Sequence, residues 1–418
     1  MTPPIRIVAT PTASAVDVAA WERVRAESGA DAFSSMPFLR AVEQAAVEIG
    51  FGVLWEGAEP VAVFNWFCMR VDLAVLAPPS SRRVMSYLRP ATGRLLTPLV
   101  LFCGLPVSAG QRALLIDPTR DVPAVVRAVE GHLSDIAQQT RAQMVVYKEL
   151  GGPGDPVRTA LEDIGYVAAS TPPMYSLPTS RFSSFEGYLD SLKSHYRQDI
   201  NRSLRKSRRR ELDVTSYVGP REVAEKYDDH VHGLYRQVEG AAEHRLEQLT
   251  REFFLALARE FPDGVSLTLA TLDGEVVCCH WGLRQGDAYY FLFCGLHYPT
   301  NRDADVYFNL MYAELGNALR AGASSVQLGQ TAQQFKARLG AIASPRSVCV
   351  RGRRPALHAA LRRLAPLLFA EEEALEPLSI FRATATSGSG PRGTASRAQP
   401  VRPSPTRPAP EALRRHAR

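Results

Sequence analysis

VSLTLATLDGEVVCCHWGLRQGDAYYFLFC, residues 265–294, sets apolar runs between two turns. Asp273-Gly274 suits a tight hairpin because glycine accepts the left-handed backbone such turns need, and Gln285-Gly286-Asp287 supplies the second turn. The pattern predicts three consecutive strands, 265–272, 275–284 and 288–294. Working outward, strand 212–217 and helices 221–238 and 246–260 precede them. After them come helix 304–321, strand 325–328, a turn at 335–340, strand 348–351 and helix 355–369. Further upstream, Phe185, Tyr188, Leu189, Leu192, Tyr196, Ile200 and Leu204 make one apolar stripe, which predicts a single helix over 184–209. The class is mixed α/β.

The first half gives a looser version of the same order. Helical spacing covers 17–48, strands 51–55 and 61–70 follow, and 100–104 is extended. Helix 122–139, strand 143–148 and helix 155–164 come next. Thr171-Pro172-Pro173 and Pro178 mark the expected boundary, giving domains 1–175 and 176–372. From 381 to 418 there are eight arginines and one acid, Glu411, among serine, glycine and proline. Such a tail buries too little to fold and is expected to be disordered. It also accounts for the whole net charge of +6, so the basic balance is weak support for nucleic-acid binding.

The six cysteines sit mostly in apolar runs without Cys-x-x-Cys or Cys/His metal spacing, as expected of a reducing cytosol and of a chain with no metal. No signal peptide is legible, and the longest apolar run, Leu95–Val107, is too short and too interrupted to span a bilayer. Localisation is therefore expected to be cytoplasmic.

Lysine has almost vanished: five residues against 44 arginines. One of the five, Lys336, stands in Val326-Gln-Leu-Gly329-Gln-Thr-Ala-Gln-Gln-Phe335-Lys336-Ala-Arg338-Leu-Gly340, a strand, a glycine, a polar loop and a turn. An ammonium is a compact charge with a tunable pKa, which a guanidinium is not. Residues 193–210 carry eight cations, Arg197 and Arg205 among them, against Asp199 alone. Eight against one is lopsided for a merely solvated face, and such a helix suits a tRNA backbone, a CoA 3′-phosphate or a phosphorylated lipid precursor.

Three segments resemble the Fem-related and BioF2-like acetyltransferases of the GNAT superfamily. They are Phe185–Ile200, the run from Cys279-His280-Trp281-Gly282 through Tyr289, Tyr290 and Gly295, and Gly329–Gly340, which is similar to that family's strand–Gly–loop–(Tyr/Phe)-Lys-x-x-(Phe/Trp/Leu)-Gly. The resemblance implies two tandem GNAT-like domains and an N-acyltransferase that makes an amide. It implies acyl-CoA as co-substrate and, as acceptor, an amine on a small molecule or a peptidoglycan precursor. The alternatives are a Fem-like enzyme drawing on aminoacyl-tRNA and a non-catalytic module. In this reading Lys336 stabilises charge, His280 is the general base, and only one of Tyr289 and Tyr290 faces the cleft, with Tyr290 taken as catalytic. Phe335, Arg338, Arg197, Arg205 and Asn309 are the donor- and anion-binding candidates. The glycine pattern with which such enzymes usually hold CoA pyrophosphate is absent from Gly295–Asp303.

Overall fold

The computed structural model describes residues 5–45, 47–72, 97–107, 110, 112, 114–241, 249–330, 332–368 and 378–382. Residues 383–418, most of the expected tail, lie outside the described residues.

In the first half, β1 (Ile5–Thr10), α1 (Val18–Glu27), α2 (Met36–Val42), β2 (Ile49–Glu56), β3 (Glu59–Arg70) and β4 (Leu99–Cys103) lead to β5 (Leu114–Ile116). Then follow α3 (Val122–Gln139), β6 (Met144–Gly151), α4 (Pro156–Asp163) and β7 (Val167–Pro178). The second half holds α5 (Phe185–Ser191), α6 (Ser194–Arg209), β8 (Asp213–Val218), α7 (Pro220–Lys226), α8 (Asp229–Ala241), α9 (Arg251–Glu260), β9 (Val265–Leu272), β10 (Glu275–Gln285) and β11 (Ala288–Leu296). It closes with α10 (Tyr298–Ala304), α11 (Val306–Arg320), β12 (Ser325–Gly329), α12 (Gln333–Arg338), β13 (Ile342–Gly352) and α13 (Pro355–Leu368).

All strands join one mixed sheet in the order β1-β2-β3-β4-β6-β13-β7-β12-β11-β10-β9-β8, with β5 on β3. The predicted boundary is itself strand. Pro172, Pro173 and Pro178 lie in β7, whose length is paired with β13 and, near its end, with β12. Proline cannot donate to a ladder, so its presence argued for a linker; here neighbouring residues carry the pairing. The halves therefore exchange their last strands: β7 completes β12, and β13 completes β6. They also share a core, in which Phe38 of α2 meets Phe253 of α9 edge to face at 6.4 Å.

Two further sequence expectations change. The predicted helix 184–209 is broken at Leu192-Lys193, where residues 378–382 dock: Leu192 forms a β-bridge with Phe381, and Lys193 N donates to Ile380 O at 2.8 Å. Ile380 is buried, and Phe381 and Arg382, the first residues of the expected tail, dock on the folded body. The predicted helix 304–321 is α11, and the short helix α10, which the sequence did not suggest, precedes it across Asp305, whose left-handed backbone (φ 51°) ends α10 and starts α11.

Each half contains a pair of parallel strands that part. Val100–Cys103 of β4 pairs with Met144–Tyr147 of β6, and Ala288–Tyr290 of β11 with Ser325–Gln327 of β12. Beyond those registers the strands diverge. In the first half the gap is stoppered by Lys148, which donates to Leu105 O at 2.9 Å and sits over the Phe67 ring.

Candidate active site

The open gap is the one in the second half. Past Tyr290, β11 runs on to Leu296 with its β12-facing edge out of the β11–β12 ladder. The β10–β11 register slips between Trp281–Phe293 and Gly282–Phe291, leaving Leu292 as an extra residue. A bulge at such a place twists the strand and re-aims its backbone groups. Amide N–H groups on a free edge are ready donors to a developing oxyanion.

Lys336 enters this gap from α12 and is only 2% exposed. Its Nζ lies 3.8 Å from where a Cβ on Gly329 would sit, and it interacts electrostatically with Cys294 near the end of β11. The ammonium is thus held between the ends of both parted strands. Burial lowers its pKa to about 7, and the Cys294 thiol pulls the other way. Gly329 has φ +74°, a backbone that glycine adopts without cost, and it leaves the ammonium room. Phe335 packs with Phe308, Tyr307 and Tyr312 at ring distances of 4.7, 6.0 and 6.0 Å, fixing the turn that carries Lys336. Arg338 points elsewhere: it is exposed and pairs with Asp199 of α6 at 3.7 Å.

His280 meets β11 through the Phe291 ring, edge to face at 5.1 Å, and stands opposite Cys294 in the β10–β11 ladder. It lies under α11, with Nδ1 3.5 Å from Glu314 Oε2, and Glu314 is 0% exposed. Tyr289 donates to the same carboxylate, Ser266 meets the Tyr289 hydroxyl at 3.1 Å, and Thr268 also bonds Glu314. Burial pushes the Glu314 carboxyl up, but His280 and these hydrogen bonds outweigh it and hold the carboxyl below its ordinary range. The first half repeats the device. Glu130 of α3 accepts from Tyr147 and Tyr166, and both glutamates are the ninth residue of their helices. A buried carboxylate that clips helix to sheet in both halves, one of which is stoppered, reads as architecture. Periodicity marks Glu314 only as a polar residue on a helix, so sequence gave no reason to choose it.

Tyr290 faces the other way, toward the first half. Ala32 N donates to its hydroxyl at 3.4 Å, Phe33 packs edge to face at 5.0 Å, and burial raises its pKa to about 12. Beside it stands Asp31, hemmed in by protein yet still touched by solvent; this burial raises its carboxyl pKa to about 6 against the hydrogen bond it accepts from Phe33 N at 3.1 Å and the weaker pull of Arg346, Arg25 and Arg112. Glu149, at the end of β6, is buried with its carboxyl also shifted upward, and it accepts from Gln330 at 3.1 Å. These residues come from five separate segments, so no local pattern could assemble them.

The basic helix is more committed than its composition implied. Arg197 pairs with Asp190 at 3.4 Å, Arg202 with Asp199 at 3.5 Å, Arg210 with Asp273 at 3.8 Å, and Lys206 with Asp305 at 2.7 Å. Folding brings acids from other segments to what was eight cations against one. Arg205 is exposed and forms no ion pair among the described residues. Asn309 is buried, and its amide donates to Ala304 O, Asp305 O and Ser203, which locks the α10–α11 corner against α6. Neither Asn309 nor Arg197 is brought to Lys336.

Residues 194–337 match the family described as an acetyltransferase (GNAT) domain. No curated protein matches the chain. Among solved structures the fold is similar to that of FemX, with a TM-score of 0.53 at 10% identity over 83% of this chain and 99% of that one. It is similar too to a tandem GNAT protein from the clavulanic acid biosynthesis pathway, with a TM-score of 0.51 at 15% identity over 84% and 99%. At these identities the likeness is one of fold.

Proposed function

We propose that this chain, which carries a GNAT acetyltransferase domain in its second half within a tandem GNAT-like fold, transfers an acyl group from acyl-CoA to an amine in the gap between β11 and β12. The observation that carries the reading is Lys336, a buried ammonium standing between the ends of two parted strands. Burying a cation costs several kcal/mol, and strongly perturbed buried charges cluster at functional sites.

In this reading the thioester lies along the free edge of β11. A neutral amine attacks the carbonyl carbon, the oxyanion takes donors from that edge, and Lys336 as the cation balances the developing charge. The C–S bond then breaks, and the thiolate leaves with the proton that the nitrogen gives up. Phe335 positions the turn and Tyr290 floors the acceptor side. His280 we assign to the Glu314 clip rather than to proton transfer. Five of the eight cations between 193 and 210, Lys193, Arg197, Arg202, Lys206 and Arg210, have partners in the fold, which leaves less of that face for RNA.

The test is calorimetric titration with CoA and acetyl-CoA, alongside thiol release in the presence of primary amines, for the full chain and for Lys336→Ala. Saturable binding, with turnover reduced at least a hundredfold in the variant, is expected. Absence of binding at millimolar acetyl-CoA overturns the thioester donor. The Fem-like alternative is favoured by one observation, the missing glycine pattern after β11, and would then be tested with aminoacyl-tRNA.

A further inference from the structure

We infer that the docked segment 378–382 is part of the acyl site, with Phe381 as the positioning residue that keeps the Lys336 ammonium between the parted strands. This rests on the reading of Lys336 as the cation of the β11–β12 gap and adds what holds it there.

Among the described residues the Lys336 ammonium has no hydrogen-bond partner. Its place is therefore set by the backbone of α12, a helix of six residues that is too short to hold itself. What holds it is the way the helix ends. Ala341 N donates to Lys336 O at 3.1 Å and Gly340 N to Ala337 O at 3.0 Å, with Gly340 left-handed at φ +88°. This is the Schellman arrangement, and Lys336 is the residue whose carbonyl its longer-range bond fixes. The cap in turn leans on the docked segment. The three heavy atoms nearest to a Cβ built on Gly340 all belong to that segment: two Phe381 ring carbons at 2.6 Å and Ile380 Cδ1 at 2.9 Å. Glycine thus serves twice here, since it takes the left-handed backbone and lets the Phe381 ring press on the cap.

Phe381 is itself held from several sides. Arg181 lies over its ring at 3.7 Å, Phe182 packs on it at 5.6 Å, and Tyr188 meets it edge to face at 6.3 Å. Tyr188 is fully buried, and its hydroxyl donates to Leu339 O at 3.0 Å, which ties the same aromatic group to the cap a second time. The backbone of the segment is fastened to the α5–α6 break. Lys193 N donates to Ile380 O and Arg382 N to Ser191 O, both at 2.8 Å, and Arg382 Nε donates to Leu192 O at 3.1 Å. The Lys193 ammonium adds a bond to Ser379 Oγ at 2.9 Å. One face of the segment is thus anchored to helices while the other bears on the turn that carries Lys336. A displacement of about 1 Å at a reacting group costs on the order of a hundredfold in rate, so a small retreat of this turn matters.

The scarcity of lysine makes the test clean. Reductive methylation of the full chain, read by mass spectrometry, follows all five lysines separately, and buried Lys148 of the first half is the internal reference. Phe381→Ala should speed methylation of Lys336 by about fivefold or more and leave Lys148 unchanged. Phe381→Leu, which refills the space, should restore most of the protection. Thiol release from acetyl-CoA is measured with ethylamine, lysine or β-alanine, whichever the full chain turns over fastest. Its kcat/KM should fall by about tenfold or more in Phe381→Ala, with the alkaline limb displaced upward as the ammonium regains water. Arg181→Ala, which only uncovers the outer face of the ring, should act in the same direction and less, and serves if Phe381→Ala fails to fold. Unchanged Lys336 methylation in both variants, or Lys148 loosened in parallel, would overturn the inference. So would faster Lys336 methylation with undiminished kcat/KM. Faster methylation of Lys336 alone, in a protein that transfers no acyl group even with Phe381 in place, would uphold the clamp and remove the acyl-CoA reading.

Discussion

Lys336 is the residue at which function and stability oppose each other. Its folded pKa of about 7 lies below the 10.5 of a free lysine, so between those values the unfolded chain binds more protons than the folded one. Stability must therefore rise with pH across that window, and the penalty is fully present below it. Replacing Lys336 with Met removes the buried charge: thermal melts at pH 7 should show a Tm raised by a few degrees, with a smaller gain at pH 9.5, while acyl transfer is lost. A Tm that falls at both pH values would mean that the ammonium is satisfied in the fold. Catalysis carries its own signature. If Lys336 acts as a cation, kcat/KM for the free enzyme falls as pH passes about 7, and a pH profile without that alkaline limb would remove the ammonium from the mechanism.

At the scale of elements, α11 and the docked segment 378–382 each make a claim that can be measured. Glu314 takes a histidine, a tyrosine and a threonine at once beneath α11, so Glu314→Ala strands several buried polar groups and should cost about 3–5 kcal/mol in denaturant unfolding. Should the loss be under about 1 kcal/mol, the clip is ornamental and His280 becomes available for another role. Segment 378–382 is tied by Arg382 N to Ser191 O at 2.8 Å, and Arg181 sits over the Phe381 ring at 3.7 Å. Gly340, at φ +88°, has Phe381 where its Cβ would be, 2.6 Å away. Gly340→Ala therefore strains the backbone and displaces the strap together, and it should expose the Lys193 amide, which donates to Ile380 O, to faster hydrogen exchange. Unchanged exchange there would mean that the segment is not what holds the α5–α6 break.

The whole molecule is one sheet with exchanged terminal strands, which sets its cooperativity. A fragment beginning at residue 179 lacks β7, leaves β12 with an open edge and uncovers the core that α2 shares with α9. Such a fragment should aggregate or melt without a sharp transition, whereas the full chain unfolds in a single step; a soluble, cooperatively folding fragment would contradict the exchange. Much of this body was legible beforehand. The β9–β10–β11 meander, α3, α9 and the Phe335–Gly340 turn follow from local alternation, helical spacing and glycine placement, and Lys336 stood out because its residue type is scarce. Those are properties of neighbouring residues, and neighbours in sequence are what periodicity reads. What only the tertiary structure decided is longer-ranged. Pro172 and Pro173 look like a linker until β13 and β12 supply the partners for β7, and His280 looks solitary until Glu314 is found above it. The α6 cations look free until Asp190, Asp273 and Asp305 arrive from elsewhere. Asp31 comes to Tyr290, and Glu149 to Gln330, only in the fold, because charge and contact act through space and the sequence records only order along the chain.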